Sequence, residues 1–355
     1  MNNDRIQEIL DLMEEARLDY FLISDPQSIA YCTGYYNNPH ERMFVFMISK
    51  HGNHTLFMND LFYLEHDLDV NIVWHKDGQD AIQTIVDEMH FPGRIGIDKN
   101  WASHFLLDLM KKLPDAKYIN ASPCVDLVRM KKDLQEQVLM IESSKINDAV
   151  MEEIIPFIQE GVTEKQLAKK LDELFFNHHS TCYGAIVAFG KNAADPHHEN
   201  DDTPLRKGDC VLIDMGCVYK GYCSDMTRTF FYEGILEEEI KVYEIVKKAN
   251  EAAEAMIKPG VKLSDIDKCA RKVISDEGYG KYFTHRLGHF IGRDVHEYGD
   301  VSSVNEMEVE EGMIFSIEPG IYLEGNFGVR VEDLVMVTKD RCQVLNSFTK
   351  DIYII

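Results

Sequence analysis

The feature that most constrains the fold of this chain is an internal duplication in its second half. The segment EGVTEKQLAKKLDEL around Gly161 and the segment PGVKLSDIDKCARKV around Gly260 share a Gly-Val pair and three apolar positions at the same spacing. Further on, residues 208–216 and 312–320 share two glycines, an apolar run and a carboxylate, at Asp214 and Glu318. Two matches in register, separated by 99 and 104 residues, make chance a poor explanation. The second half is therefore predicted to hold two similar helix-helix-strand units that pack together.

The first part of the chain has a different pattern. Apolar runs that are typical of strands occur at 19–24, 43–48, 54–58, 71–75 and 94–97, and helical spacing of apolar residues occurs at 5–17, 79–89 and 101–113. This alternation predicts an α/β domain, in which we see no catalytic constellation. A long helical pattern over 134–158 then opens the second region. We therefore expect a mixed α/β (α+β) chain with one domain at 1–127 and a second at 128–355.

Composition excludes several kinds of partner. The chain of 355 residues has 37 Lys and Arg against 61 Asp and Glu, for a formal net charge of −24. Such a surface repels nucleic-acid phosphates and anionic lipid, so neither nucleic acid nor a membrane is expected as a partner. The eight cysteines form no C-x-x-C pair and no run of 18 apolar residues occurs. These features are typical of a reducing compartment and predict a cytoplasmic protein.

Two carboxylates end or begin neighbouring strand patterns in the segment VLIDMGCVYKGYCSDMTRTF. Asp214 ends the first apolar run and Asp225 lies near the start of the next. The midpoint of their numbers is 219.5, so a tight turn at 219–220 would set them directly opposite each other. Like charges that face each other on a sheet are destabilising, and a cation between them resolves the conflict.

The second copy, IEPGIYLEGNFGVRVEDLVMV, repeats this arrangement. Glu318 ends one apolar run, Glu332 lies in the next, and their midpoint is 325, inside a predicted turn at 324–326. We expect the two carboxylate pairs to occupy matching positions and to meet when the halves pack. Four carboxylates with a nearby imidazole suit two divalent cations. Oxygen-rich sites favour manganese, cobalt or zinc over copper.

Histidines cluster in two segments of the second half. The segment THRLGHFIGRDVHE contains His285, His289 and His296, interleaved with glycines that let the backbone approach a site. We expect His289 to complete the metal cage. His197 and His198 lie in GKNAADPHHEN, where Pro196 indicates a loop, and site residues concentrate in loops.

These motifs resemble the "pita-bread" metallopeptidases, in particular the aminopeptidase P and prolidase branch. The resemblance rests on IDMGCVYKGYCSDMTRTF, HRLGHFIGRDVHE, SIEPGIYLEG and GVRVEDLVMVT, and it covers about 134–355. The first domain is similar, more weakly, to the creatinase-type N-terminal domain of the same branch. The resemblance implies a pseudo-symmetric pita-bread catalytic domain, a cage of two divalent metal ions (manganese before cobalt or zinc), and a homodimer.

The resemblance also implies a role for each matching residue. Asp214 would bind one metal, Asp225 and Glu332 would bridge both metals, and His289 and Glu318 would bind the other. The family's outer histidines, which hold the substrate carbonyl and the oxyanion, match His197 and His296. A further histidine near the substrate cleft matches His285, and Thr227 and Arg330 match residues that surround the bridging carboxylates. Glu318 would also carry the proton to the leaving nitrogen, so the catalytic set is Glu318, His197, His296 and His285, and the substrate-binding set is His197, His296 and Arg330.

The implied reaction is hydrolysis of the Xaa-Pro bond at the N-terminus of peptides whose second residue is proline. The alternative is a prolidase that accepts dipeptides alone. Some prolidases carry an arginine shortly after the histidine that matches His296, whereas this chain has Glu297, Tyr298, Gly299 and Asp300 there. This absence favours the aminopeptidase. A non-catalytic pita-bread scaffold is a remote alternative, because such proteins have lost ligands that this chain keeps.

Overall fold

A computed structural model describes residues 1–90 and 92–355 of the chain. The chain divides into two compact units, Met1–Arg129 and Met130–Ile355. The helices of the first unit are α1 (Asn3–Glu15), α2 (Pro26–Thr33), α3 (Ala81–Glu88), α4 (Ser103–Lys112) and α5 (Ser122–Met130), the last of which ends one residue past the division. Its strands are β1 (Tyr20–Ile23), β2 (Val45–Ser49), β3 (Thr55–Asn59), β4 (Asn71–His75), β5 (Arg94–Ile97) and β6 (Lys117–Asn120). Each predicted apolar run and helical pattern corresponds to one of these elements.

The strands of the first unit form one sheet in the order β4-β3-β2-β1-β5-β6. Alternate residues of β1 face different cores: Phe21 and Ile23 pack in one apolar cluster, and Tyr20 and Leu22 pack in another. Helices α1, α2 and α5 contribute to the first cluster, and α3 and α4 to the second. Because both faces of the sheet are covered, its central strands are continuously apolar rather than alternating.

The second unit contains the duplicated elements. Its helices are α6 (Leu134–Ile154), α7 (Glu164–Asn177), α8 (Glu237–Met256) and α9 (Leu263–Asp276). Its strands are β7 (Thr181–Cys182), β8 (Ile186–Phe189), β9 (Cys210–Met215), β10 (Cys217–Tyr219), β11 (Tyr222–Cys223), β12 (Met226–Phe231), β13 (Gly288–His289), β14 (Asp300–Val301), β15 (Ile314–Ile317), β16 (Gly320–Leu323), β17 (Phe327–Arg330), β18 (Asp333–Val337) and β19 (Cys342–Val344). Helices α6 and α7 precede a sheet of order β12-β9-β8, and α8 and α9 precede one of order β15-β18-β19. The two units of helix, helix and strand predicted from the repeat are therefore present.

The strand register is as predicted in the second copy of the repeat. Ile317 pairs with Asp333 and Gly320 pairs with Arg330, so Glu318 and Glu332 lie opposite each other in the same register. The turn between β16 and β17 spans residues 324–326, as expected.

The register of the first copy was predicted wrongly. Asp214 pairs with Thr227, not with Asp225, because the turn between β10 and β11 lies at Lys220-Gly221, one residue later than expected. Both residues of that turn have positive φ, 49° at Lys220 and 83° at Gly221. Since side chains alternate along a strand, Asp225 still shares the face of Asp214, but as its diagonal neighbour.

The expectation that both carboxylate pairs occupy matching positions is therefore also wrong. When the two registers are superimposed, Glu332 corresponds to Thr227 and Arg330 corresponds to Asp225. The duplicated halves match at Asp214 and Glu318 but carry different chemistry on the following strand. None of the helices in residues 1–90 and 92–355 is long and apolar enough to cross a membrane.

Candidate metal centre

His289 lies at the middle of a buried group of carboxylates. Its Nε2 atom is 3.6 Å from an oxygen of Asp225 and 3.6 Å from an oxygen of Glu318. Asp225, His289 and Glu332 each place a ligand atom within 4.8 Å of the others. The Nδ1 atom of His289 lies 3.2 Å from the carbonyl oxygen of Phe290, which accepts a hydrogen bond when Nδ1 carries the proton. That bond leaves the lone pair of Nε2 facing the carboxylates, as a metal ligand requires.

Glu332 and Asp214 are each held by a polar neighbour. The hydroxyl of Thr227 donates to Glu332 Oε2 at 2.7 Å. Arg330 Nη2 donates to Asp214 Oδ2 at 2.6 Å, and Arg330 Nε donates to Thr227 Oγ1 at 3.0 Å. One continuous network thus fixes the orientation of two carboxylates, Asp214 on β9 and Glu332 between β17 and β18.

The charges of this group conflict when no cation is present. Burial, together with the neighbouring carboxylates Asp214 and Glu318, raises the pKa of Asp225 well above its usual value. Burial and Asp225 do the same to the pKa of Glu332, and burial raises the pKa of Glu318 to about 7. Burial lowers the pKa of His289 to about 3, so its imidazole is neutral. A neutral imidazole among buried carboxylates is a donor set that fits divalent cations.

Close backbone packing brings His289 to Glu318. A Cβ atom on Gly288 would lie 1.9 Å from the carbonyl oxygen of Ser316, so only glycine fits there. The hydroxyl of Ser316 accepts from the backbone N–H of His289 at 3.0 Å and donates to Glu318 Oε1 at 3.2 Å. The glycine-histidine pattern of the sequence therefore has a steric basis.

Two of the other predicted histidines reach this group. The rings of His296 and His289 meet edge to face, with centroids 4.2 Å apart. His285 Nε2 lies 2.8 Å from the hydroxyl of Tyr322, which accepts from Arg330 Nη1 at 3.1 Å. Burial and the charge of Arg330 lower the pKa of His285 to about 4, and burial also lowers the pKa of His296.

The two histidines of the GKNAADPHHEN segment have different surroundings. His197 is exposed, and its loop reaches the centre through the carbonyl oxygen of Pro196, which accepts from Arg330 Nη1 at 3.5 Å. His198 points elsewhere, because its Nε2 lies 2.6 Å from the buried carboxylate of Glu164. The structure therefore separates two neighbours that the residue pattern alone presents as similar candidates, and of which the family resemblance assigns a role to His197 only.

Three residues of the centre are not predicted by the sequence pattern. Ser316 lies two residues before Glu318 on one strand face, so strand periodicity could have found it. Tyr322 links His285 to Arg330, and Tyr183 donates to the carbonyl oxygen of Ser224 at 2.7 Å beside Asp225. No spacing in the sequence points to either tyrosine, since both reach the centre from separate loops or strands.

Comparison with known proteins decides the family. Residues 138–339 match the model of metallopeptidase family M24. The chain belongs to this family. Residues 5–131 match the creatinase/prolidase N-terminal domain. The predicted fold class is thereby confirmed: a creatinase-type domain precedes a pita-bread catalytic domain, and the chain is a peptidase.

Three solved structures illustrate the similarity. A dipeptidase from Pyrococcus horikoshii is 35% identical, with a TM-score of 0.93 over 99% of this chain and 100% of that one. A prolidase from Thermococcus sibiricus is 32% identical, with a TM-score of 0.95 over 100% of this chain and 99% of that one. An X-Pro aminopeptidase from Thermotoga maritima is 28% identical, with a TM-score of 0.85 over 97% of this chain and 100% of that one. Both dipeptidases and an aminopeptidase are therefore among the solved structures that this chain resembles.

Proposed function

We propose that this M24 peptidase uses two divalent cations, manganese before cobalt or zinc, to hydrolyse the Xaa-Pro bond at the N-terminus of peptides. The observation that carries the proposal is the convergence of His289 with Asp225, Glu318 and Glu332 in one buried group. Asp214 would complete the ligand set. Divalent cations held there supply Lewis acidity and a nucleophile at neutral pH. We also propose that the protein is cytoplasmic and forms a homodimer.

The surrounding residues supply binding and proton transfer. The Glu318 carboxylate would hold a proton at one oxygen and pass it to the leaving proline nitrogen. His296, next to His289, would donate an N–H to the oxyanion, and His197 would hold the substrate carbonyl. Tyr322 and Arg330 keep His285 and Asp214 in fixed orientations.

A dipeptidase is the second candidate, and two observations favour it. The dipeptidase and the prolidase named above are more similar to this chain than the aminopeptidase is. The guanidinium of exposed Arg286 makes no hydrogen bond or ion pair within the described part of the chain, and its charge helps burial to lower the pKa of His296. A guanidinium in this position, beside the centre, can bind the C-terminal carboxylate of a dipeptide.

Paired substrates test the proposal. The metal-loaded protein is offered Xaa-Pro, Xaa-Pro-Yaa and, as a control, Xaa-Ala-Yaa. We expect the tripeptide with proline to be cleaved after its first residue and the alanine control to be spared. Cleavage of the dipeptide alone would replace the aminopeptidase with the dipeptidase, and Arg286→Gln should then raise KM for Xaa-Pro. Cleavage of neither proline peptide by a protein shown to bind metal would overturn the proposal.

A further inference from the structure

One buried carboxylate holds the whole loop that carries His197. Glu164 is fully buried at the first position of α7, behind the N-cap residue Thr163. Its Oε1 accepts from the backbone N–H of Phe189 at 2.9 Å and from Asn192 Nδ2 at 2.9 Å. Its Oε2 accepts from the backbone N–H of Asp201 at 3.0 Å and lies 2.6 Å from His198 Nε2. All four partners belong to the segment 189–201.

The same group could be mistaken for a metal site. Glu164, His198 and Asp201 place ligand atoms within 4.8 Å of one another. However, the four contacts use both oxygens of Glu164, and the bond to Glu164 occupies Nε2 of His198. Asp201 is exposed, and its Oδ1 accepts from the backbone N–H of Thr203. The first-turn position of Glu164 also suits a carboxylate without a cation, since the positive end of the helix dipole lies there.

The held segment leads directly to the metal centre. Its ends are fixed at Phe189 and Asp201, and its middle contains Pro196 and His197. The Pro196 carbonyl oxygen accepts from Arg330, which also binds Asp214. Glu164 thus fixes one side of the loop, and Arg330 contacts the other. His197 lies between Pro196, which contacts Arg330, and His198, whose ring contacts Glu164.

We propose that Glu164 is a positioning residue for His197, and that His198 is the side chain through which it acts. This inference rests on the proposed role of His197 in holding substrate. Burial keeps the Glu164 bonds away from competing water, so they hold the loop more strongly than the same bonds would at the surface. Small displacements of a substrate-holding group are costly to turnover. Glu164 therefore contributes to catalysis without touching substrate.

Glu164→Gln is the primary test, because it keeps the size of the side chain but turns one acceptor into a donor. Whichever way the amide is placed, its nitrogen then faces a backbone N–H, of Phe189 or of Asp201. We expect kcat/KM for the proline tripeptide to fall about tenfold to a hundredfold. Metal binding, measured by calorimetry, should be retained. Glu173→Gln, on the exposed face of the same helix, is the matched control and should behave as wild type.

A double-mutant cycle separates positioning from general loss of structure. In a His197→Ala background, Glu164→Gln should cost less than about twofold, because the group that it positions is gone. An equal loss in both backgrounds would overturn the inference. His198→Gln and His198→Leu form a milder pair if Glu164→Gln does not fold. The glutamine variant keeps a donor for Glu164 and should retain activity, whereas the leucine variant should lose it; equal activities would count against the inference.

Hydrogen exchange gives a readout that does not depend on the substrate. Glu164→Gln should speed exchange in segment 189–201 while the strands around His289 stay protected. Unchanged protection of that segment would overturn the inference. If the wild-type protein cleaves no proline peptide, the proposed function fails by itself, and the exchange result alone then decides whether Glu164 holds the loop.

Discussion

Thr227 and Glu332 occupy equivalent places in the two copies of the repeat and are hydrogen-bonded to each other, with 2.7 Å between Thr227 Oγ1 and Glu332 Oε2. The backbone N–H of Glu332 also donates to the Thr227 carbonyl oxygen at 3.1 Å. The duplicated halves therefore meet at this pair, and one member of it is a proposed ligand.

Thr227→Val should weaken metal binding while leaving the fold intact. The change removes the hydroxyl that orients Glu332 and keeps the shape of the side chain. Loss of a partner that orients a ligand typically costs about 10–100-fold in metal affinity. Calorimetric titration of the metal-free protein measures the effect, and Thr227→Ser serves as the control because it keeps the hydroxyl. Equal affinities of the valine and serine variants would remove Thr227 from the support of the centre.

Glu318→Gln should abolish most turnover, since the amide cannot pass a proton to the leaving nitrogen. We expect kcat for the proline tripeptide to fall by about 10²–10⁴-fold. Glu324→Gln, in the exposed turn after β16, should leave kcat unchanged. Metal content is determined for both variants, because loss of metal would explain the result without proton transfer. A Glu318→Gln enzyme with full metal and near-normal kcat would contradict the assigned role.

The metal-free protein should lose stability as pH rises. Burial raises the pKa of Glu318 to about 7 from an ordinary value of 4.5, and it also raises the pKa of Asp225 and of Glu332 well above their ordinary values. A carboxyl group whose pKa is raised by folding stabilises the folded state below its unfolded pKa, and this contribution disappears as pH climbs through the folded pKa. For Glu318 the window is about pH 4.5 to 7. Melting temperatures with chelator should fall across this range, and added metal should reverse the fall; a flat chelated profile would argue against it.

Gly288→Ala should be severely destabilising. The new Cβ would lie 1.9 Å from the carbonyl oxygen of Ser316, so β13 must move away from β15 and carry His289 with it. We expect the free energy of unfolding to fall by about 3 kcal/mol or more. Metal binding should be lost as well. Gly234→Ala is the control, because a Cβ there would meet no atom of residues 1–90 and 92–355 within 4 Å. Urea titration of both variants gives the comparison, and comparable stabilities would show that the strands can separate without cost.

Most helices and strands could be predicted from the sequence, because packing in this fold requires apolar residues at regular positions. Both faces of the first sheet are covered, so β1 and β2 read as unbroken apolar runs. The repeat predicted the halves of the second unit, and the Glu318–Glu332 register followed from a symmetric turn. The Asp214–Thr227 register did not follow, because the positive-φ turn at Lys220-Gly221 is displaced by one residue and no periodicity reports that.

The residues of the candidate metal centre were easier to predict when their type and spacing are unusual, and harder when the residue type is common in packed strands. Carboxylates after apolar runs and glycine-flanked histidines stand out in a sequence. Tyr322 does not stand out, since a tyrosine in a strand is usually a packing residue. The different surroundings of His197 and His198 depend on Glu164, which lies more than 30 residues earlier on α7, so the local pattern of residues does not reveal them.

The Arg330–Asp214 ion pair would make the proposed metal centre a site of competition as well as of binding. A metal ion that binds Asp214 must either share the Oδ2 oxygen with the Arg330 guanidinium, which lies 2.6 Å away, or displace that guanidinium. Within residues 1–90 and 92–355, no lysine or arginine forms an ion pair with Asp225 or Glu318, and the Glu318 oxygen nearest to His289 accepts only from the neutral hydroxyl of Ser316. The ion beside Asp214 would then exchange faster with its surroundings, and occupancy of the cage would rise in two stages as metal supply increases. Working activity would thus follow the metal status of the cell rather than the amount of protein alone.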